Sequence, residues 1–249
     1  MSFTVPTIEW AGLAPVLIIL GAGVLGVLVE ALVPRAGRLY TQAVLSALAV
    51  LGAGAAFVMR WAQVLPQDAS TGQVVPSGSV LTPGISEDPF GVAAQGIMLV
   101  IGLLSVLIMA DRTTAGDGAF AAQAADRPGS AEESESLHHG WTTTEVFPLT
   151  MFSLAGMMLF PMVNDFIALF VVLELISLPL YIMAATARHR RLLSQESALK
   201  YFVLGAFASA FLLLGSALLY GLSGSVSYTS IATRLAAGGG ADVIDMDWL

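Results

Sequence analysis

One acid stands inside a long apolar run. Glu174 lies in FIALFVVLELISLPLYIMAA (166–185), and it is the one charged residue between Asp165 and Arg188. Ten residues separate it from Asn164 and fourteen from Arg188. As a helix this run places Glu174 roughly 15–21 Å from either end, near the middle of a bilayer. A charged carboxylate at that depth costs from about 2.5 to more than about 10 kcal/mol, depending on the measure. It must be protonated, paired or hydrated. Ser177 and Tyr181 follow at i+3 and i+7, so the three share a face and form a short polar stripe. Pro179 cannot donate to the carbonyl of Leu175, which predicts a kink or a local opening beside the acid. Two readings stand open: proton or ion handling, and a neutral acid that glues two helices by a hydrogen bond.

Lys200, in SQESALKYFVLGAFASAF, is the second candidate. Glu196 precedes it by four residues, the favourable order for a helical ion pair. Ser194 is placed to cap that helix. The competing reading is a lysine that snorkels to the membrane interface. Glu174 lies deeper, so a direct bond between the two needs tilt or intervening water. Glu30 sits about one turn from the end of its run and reads as an interface carboxylate. His138 and His139 lack the partner spacing of a metal site. The small residues Gly21, Gly23 and Gly26, and Gly205, Ser209 and Ser216, read as close-packing positions.

These residues need elements to hold them, and composition says which. Hydrophobic residues make up 56% of the 249 and charged residues 11%, against about 45–50% and about 25% in soluble domains. That excludes a water-soluble globule and disorder along the whole length. The absence of cysteine excludes a disulfide framework, Cys-ligated zinc, Fe–S ligation and thiol catalysis. A formal charge of −8 argues against nucleic acid. No P-loop, dinucleotide fingerprint or haem motif occurs, so no site for NADH, flavin or an iron–sulfur cluster is expected in this chain.

Six apolar spans predict an all-α polytopic membrane protein with six transmembrane helices. They are Ala11–Val33, Thr41–Met59, Gly91–Ala110, Val146–Val163, Phe166–Ala187 and Ala198–Leu222. Their lengths exclude strands, and the alternating segments of a membrane barrel are absent. The implied divisions are 1–64 (two helices), 65–89 (an irregular, proline-rich external loop), 90–112 (the third helix) and 113–144 (a disordered cytoplasmic loop). Residues 145–222 hold helices four to six, and 223–249 form an external tail. Arg35, Arg38, Arg112, Arg127, Arg188, Arg190 and Arg191 fall on one side, and Arg60 and Arg234 on the other. By the positive-inside rule the N-terminus is outside and the RHRR connection (188–191) cytoplasmic. The first run has no basic leader and no cleavage motif, so it reads as a retained helix.

The segments LELISLPLY (173–181) and ESALKYFVLGAFASAFLLLGSALLYGLSGS (196–225) resemble subunit N of bacterial NADH–quinone oxidoreductase. That subunit is one of the antiporter-like membrane subunits of respiratory complex I. The resemblance is specific over 146–225 and looser over the first three helices. It implies a plasma-membrane, proton-translocating subunit, with NADH oxidation and quinone reduction carried by other subunits together with their FMN and iron–sulfur clusters. It makes Glu174 the fifth-helix glutamate of a proton channel and Lys200 the sixth-helix lysine near it. It also implies about fourteen helices, of which these six are the N-terminal part, with the remaining channel lysines beyond Leu249. The expected partners are the other membrane subunits of the complex and the lipid bilayer. The alternatives are an Mrp-type cation/proton antiporter subunit, which differs at the fifth-helix phrase, and a membrane scaffold without transport.

Overall fold

The structure is a computed structural model that describes residues 8–64, 79–111, 120, 130–138, 143–186 and 191–237. Among the described residues eight α-helices run in chain order: α1 Trp10–Leu32, α2 Arg35–Val64, α3 Pro89–Ala110, α4 Ala131–His138, α5 Val146–Leu159, α6 Phe166–Ala185, α7 Arg191–Ser223 and α8 Tyr228–Ala237. Five of them (α1, α2, α3, α6 and α7) are long and apolar enough to cross a membrane.

The fourth expected span differs. Its α-helix, α5, has 14 residues, and a 3-10 turn, Phe160–Met162, continues it with Pro161 inside. That is about 21 Å of α-helix and about 6 Å of 3-10 turn, just short of a 30 Å core. Hydropathy counts residues and is blind to this change of helix type. The short helix is nonetheless the hub of the fold. Phe147, Met151, Ala155 and Met158 are fully buried, and they form one core with Val16 and Ile19 of α1, Val50 and Ala53 of α2, and Leu99 and Val106 of α3. In α1, Gly23 lies under the Phe152 ring of α5 and Gly26 against Pro148, while Gly21 faces open space. The close-packing stripe is therefore real at two of its three glycines. α7 packs chiefly on α6, and most of its apolar side chains are exposed in this structure.

The 65–89 connection is not irregular throughout. Two short antiparallel strands, β1 Ser79–Thr82 and β2 Ile85–Glu87, form a hairpin. Its Pro83–Gly84 turn requires a left-handed residue, and Gly84 has φ +88°, which glycine adopts without a Cβ penalty. The hairpin clasps one end of the bundle. Leu81 is fully buried, and its carbonyl accepts from Glu9 N at 3.0 Å. The Gly84 carbonyl accepts from Asn164 N at 2.8 Å. Glu87, 1% exposed, takes two bonds of 2.9 Å from Arg60 Nε and a further one from the same guanidinium. The linkers around α6 and α8 extend the clasp: Phe166 N donates to Val226 O at 3.1 Å and Tyr228 N to Asn164 O at 3.1 Å. Burial first, then the Asp165 carboxylate, push the Tyr228 hydroxyl above its usual range.

Within 113–144, read from the sequence as a disordered loop, residues 131–138 are helical. AEESESLH folds as α4, because Ala, Glu and Leu are strong helix formers and acids near the start suit the helix dipole. Phe120 packs against the main core. Most of the remainder, like Ser77, His139 and the RHRR residues 188–190, lies outside the described residues.

Candidate functional site

α6 begins with a built cap. Asp165 accepts from Ala168 N at 2.5 Å, which satisfies one of the orphan donors of the first turn. The helix then runs unbroken through Pro179 to Ala185. Pro179 leaves the Leu175 carbonyl without its helical donor, and the neighbouring helix packs against the next residue. Ser153 Oγ of α5 donates to the carbonyl of Ile176 at 3.2 Å. One turn along α5, Gly156 lies against the same stretch: a Cβ there would sit 2.7 Å from Ile176 Cγ1, 3.0 Å from Ile176 N and 3.3 Å from the carbonyl carbon of Leu175. Glycine is needed because the obstacle is largely backbone, which cannot swing aside. Ser153 and Gly156 thus fix the turn that immediately follows Glu174.

On its other side Glu174 faces α7. Ser209 Oγ donates to Glu174 Oε1 at 2.6 Å, and the acid is half-buried. One and two turns further along α6, Ser177 is half-buried and Tyr181 buried. The Tyr181 ring meets Tyr201 and Phe202 edge-on, with centroids 4.6 and 5.6 Å apart. Its hydroxyl fills the space a side chain at Gly205 would need. Glu174 and Tyr181 both meet α7, whereas Ser177 makes no side-chain hydrogen bond among the described residues, and the partner of the acid comes from α7. Gly205 and Ser209 carry the contact: the first admits the tyrosine, and the second supplies the proton donor.

Lys200 stands elsewhere. It pairs with Glu196 on its own helix, and both side chains are more than half exposed. Nine residues separate it from Ser209, about 13.5 Å along the axis, so the structure does not bring Lys200 to Glu174. The helix also starts earlier than expected, at Arg191, which puts Ser194 inside it rather than at its cap. Leu192 and Leu193, good helix formers, carry the helix upstream of the serine.

A second carboxylate is held within the spans. Glu30 Oε1 accepts from Gln42 Nε2 at 2.8 Å, and Arg38 Nη1 lies 3.4 Å from Glu30 Oε2. Gln42 is fully buried and donates also to the Gly26 carbonyl at 2.8 Å. Its Oε1 has no hydrogen-bond partner among the described residues. Glu30 is thus tied between α1 and α2, two residues before the end of α1. Among the described residues no three His, Cys, Asp or Glu side chains gather as metal ligands.

An acid near mid-span with a hydroxyl donor across a helix pair suits protonation chemistry, and known proteins share this chain's plan. Its sequence is 47% identical over 246 residues to NADH-quinone oxidoreductase subunit N of Beutenbergia cavernae, covering 97% of this chain and 45% of the relative. It is 48% identical over 232 residues to the subunit N of Acidothermus cellulolyticus, covering 93% and 42%. The chain is a relative of the NADH-quinone oxidoreductase subunit N proteins. It spans less than half the length of these subunit N relatives. Residues 163–245, which include Glu174, Lys200 and Ser209, match the family described as NADH:quinone oxidoreductase/Mrp antiporter, TM. The fold is similar to a chain of respiratory complex I from Thermus thermophilus, with TM-score 0.59 and 24% identity over 92% of this chain and 40% of that one. It is also similar to a chain of the archaeal membrane-bound sulfane sulfur reductase, with TM-score 0.62 and 20% identity over 90% and 39%. The multi-pass membrane character of the subunit N relative thus rests on sequence, fold and kinship together.

Proposed function

We propose that this chain forms part of a proton-translocating membrane subunit of NADH–quinone oxidoreductase, and that Glu174 is a protonatable group of its channel. The observation that carries the proposal is the Ser209–Glu174 hydrogen bond between two membrane-length helices, beside the Pro179 turn that Ser153 and Gly156 support. Electron transfer from NADH to quinone belongs to other subunits. The work here is protonation: Glu174 favours the charged form of a lysine brought within a few ångströms. In the subunit N resemblance that lysine lies on a seventh helix, beyond these 249 residues. Moving the pair apart weakens the lysine's hold on its proton, and moving it together restores it. Raising one proton against 100 mV costs about 2.3 kcal/mol, within reach of a coupled conformational step.

The rest of the reading follows the same resemblance. Six crossings, α5 with its 3-10 turn counted as one, together with the arginine asymmetry support a reading with the N-terminus outside a bacterial plasma membrane and the RHRR connection in the cytoplasm. The whole subunit has about fourteen helices and docks on other membrane subunits of the complex. Lys200, paired with Glu196 near the cytoplasmic end, modulates proton access and is not the partner of Glu174. The test is NADH–quinone turnover in the assembled complex. Glu174→Gln in the full-length subunit is expected to assemble normally and to lose most of the coupled activity, and Lys200→Ala to lose less. Full activity of the glutamine variant would reject the channel role.

A further inference from the structure

A cleft of about 630 Å³ opens between α3, α5 and α6, within the size range of ligand pockets, about 300–1,000 Å³. Its two ends differ. Asp111, Thr143 and Val146 line one end, and Ser153, Leu154 and Met157 the other. Asp111 directly follows α3, and Thr143 lies just before α5, so the first end sits where helices leave the membrane. It is also the end that bears the arginine-rich connections. From Val146 to Met157 the axis advances about 16.5 Å, close to half of a 30 Å hydrocarbon core. The cleft therefore spans one leaflet, from head-group level to the midplane.

Its walls are apolar where they are deep. Ile101 and Gly102 of α3 face Leu180 and Met183 of α6 across it. Three hydroxyls along the cleft are already engaged with helix carbonyls: Ser105 with Ile101, Thr150 with Val146 and Ser153 with Ile176. They offer no free donor to draw a file of water. Methionines on all three helices (Met98, Met157, Met183) give a wall that adapts to a flexible chain.

We propose that this cleft is a binding site for one acyl chain of a phospholipid in the arginine-side leaflet, with its head group at the Asp111–Thr143 mouth. The bound chain reaches Ser153 and keeps water away from the α5 side of the proline turn behind Glu174. The inference rests on the membrane orientation of the helices and not on the proton role of Glu174. An inactive but lipid-retaining Glu174→Gln variant and an active, lipid-free groove variant therefore report separately.

The test uses the assembled complex carrying the full-length subunit, in membranes doped with a phosphatidylcholine that bears a diazirine at mid-chain. After irradiation, labelling is expected to concentrate on Met157, Leu180 and Met183 and to survive detergent washing that strips label from exposed Val100 and Leu104. Ser105→Trp, which fills the cleft from α3, is expected to lower groove labelling at least fivefold with assembly intact. Met183→Trp fills it from the opposite wall should the first variant fail to assemble. Label that washes out of the groove as fast as from Val100 and Leu104 would overturn the proposal. So would displacement of the label by an excess of long-tailed quinone, since the occupant would then be an isoprenoid tail.

Discussion

The Ser209 hydroxyl of α7 donates to the Glu174 carboxylate of α6 at 2.6 Å, and Tyr181 closes over Gly205 one turn away on α7. Interhelical hydrogen bonds of this kind contribute about 0.6 kcal/mol on average in membranes and up to about 1.7. Ser209→Ala is therefore expected to leave assembly intact, to lower the thermal midpoint of the complex slightly, and to reduce NADH–quinone turnover less than Glu174→Gln. A serine-to-alanine variant as inactive as the glutamine one would assign the decisive role to the hydroxyl.

Gly156 is expected to tolerate nothing larger. Alanine would press on Ile176 and the backbone beside it, and overpacking of this sort costs about 1–3 kcal/mol. Gly156→Ala should lower the amount of assembled complex and its thermal midpoint. Gly205→Ala should do the same through Tyr181, and Tyr181→Phe, which removes the colliding hydroxyl, should restore part of the loss. Gly156 has no such rescue, because its obstacle is largely main chain. Thermal unfolding in detergent of Gly156→Ala, Gly205→Ala and the Gly205→Ala, Tyr181→Phe double variant measures the contrast.

The Arg60–Glu87 pair holds the hairpin on the bundle. Glu87 is 1% exposed, and removing one partner of a buried pair costs about 3–5 kcal/mol, whereas replacing both by apolar residues costs far less. Arg60→Met and Glu87→Gln should each loosen the 79–87 hairpin, and the Arg60→Met, Glu87→Leu double variant should recover much of the stability. Limited proteolysis of intact cells, with cleavage followed in this connection, reports it. Equal protection of single and double variants would mean that the backbone bonds of Leu81 and Gly84 suffice.

Orientation has its own test. A cysteine at Ser77 is expected to react with an impermeant thiol reagent in whole cells, and one at Ser194 only after the membrane is opened. The reverse pattern would invert the topology.

Much of this architecture is legible in the residues and some is not, for identifiable reasons. An acid alone between Asp165 and Arg188 announces itself by its cost, so Glu174 stands out by position in the chain. The Glu196–Lys200 pair is local, and its i,i+4 spacing is enough. Ser209 reads as a packing residue because its bond depends on the register between α6 and α7, which no spacing within one helix reveals. Glu87 reads as a loop acid because its partner is 27 residues away. The hairpin does leave a signal, the Pro83–Gly84 turn, but the prolines around it obscure the strands. The fourth span looks like its neighbours because Pro161 changes the helix type without changing hydropathy.

The central claim is that Glu174 acts through its ability to carry charge. Glutamine keeps the size and can still accept the Ser209 bond, but it cannot ionise; aspartate keeps the charge and is one methylene shorter. The deciding measurement is NADH-driven proton uptake by inverted membrane vesicles containing the full-length subunit, normalised to assembled complex. The account predicts a severalfold lower rate for Glu174→Gln and an intermediate rate for Glu174→Asp. Uptake by the glutamine variant equal to that of the parent would contradict it, and Glu174 would then be a hydrogen-bonding strut between α6 and α7.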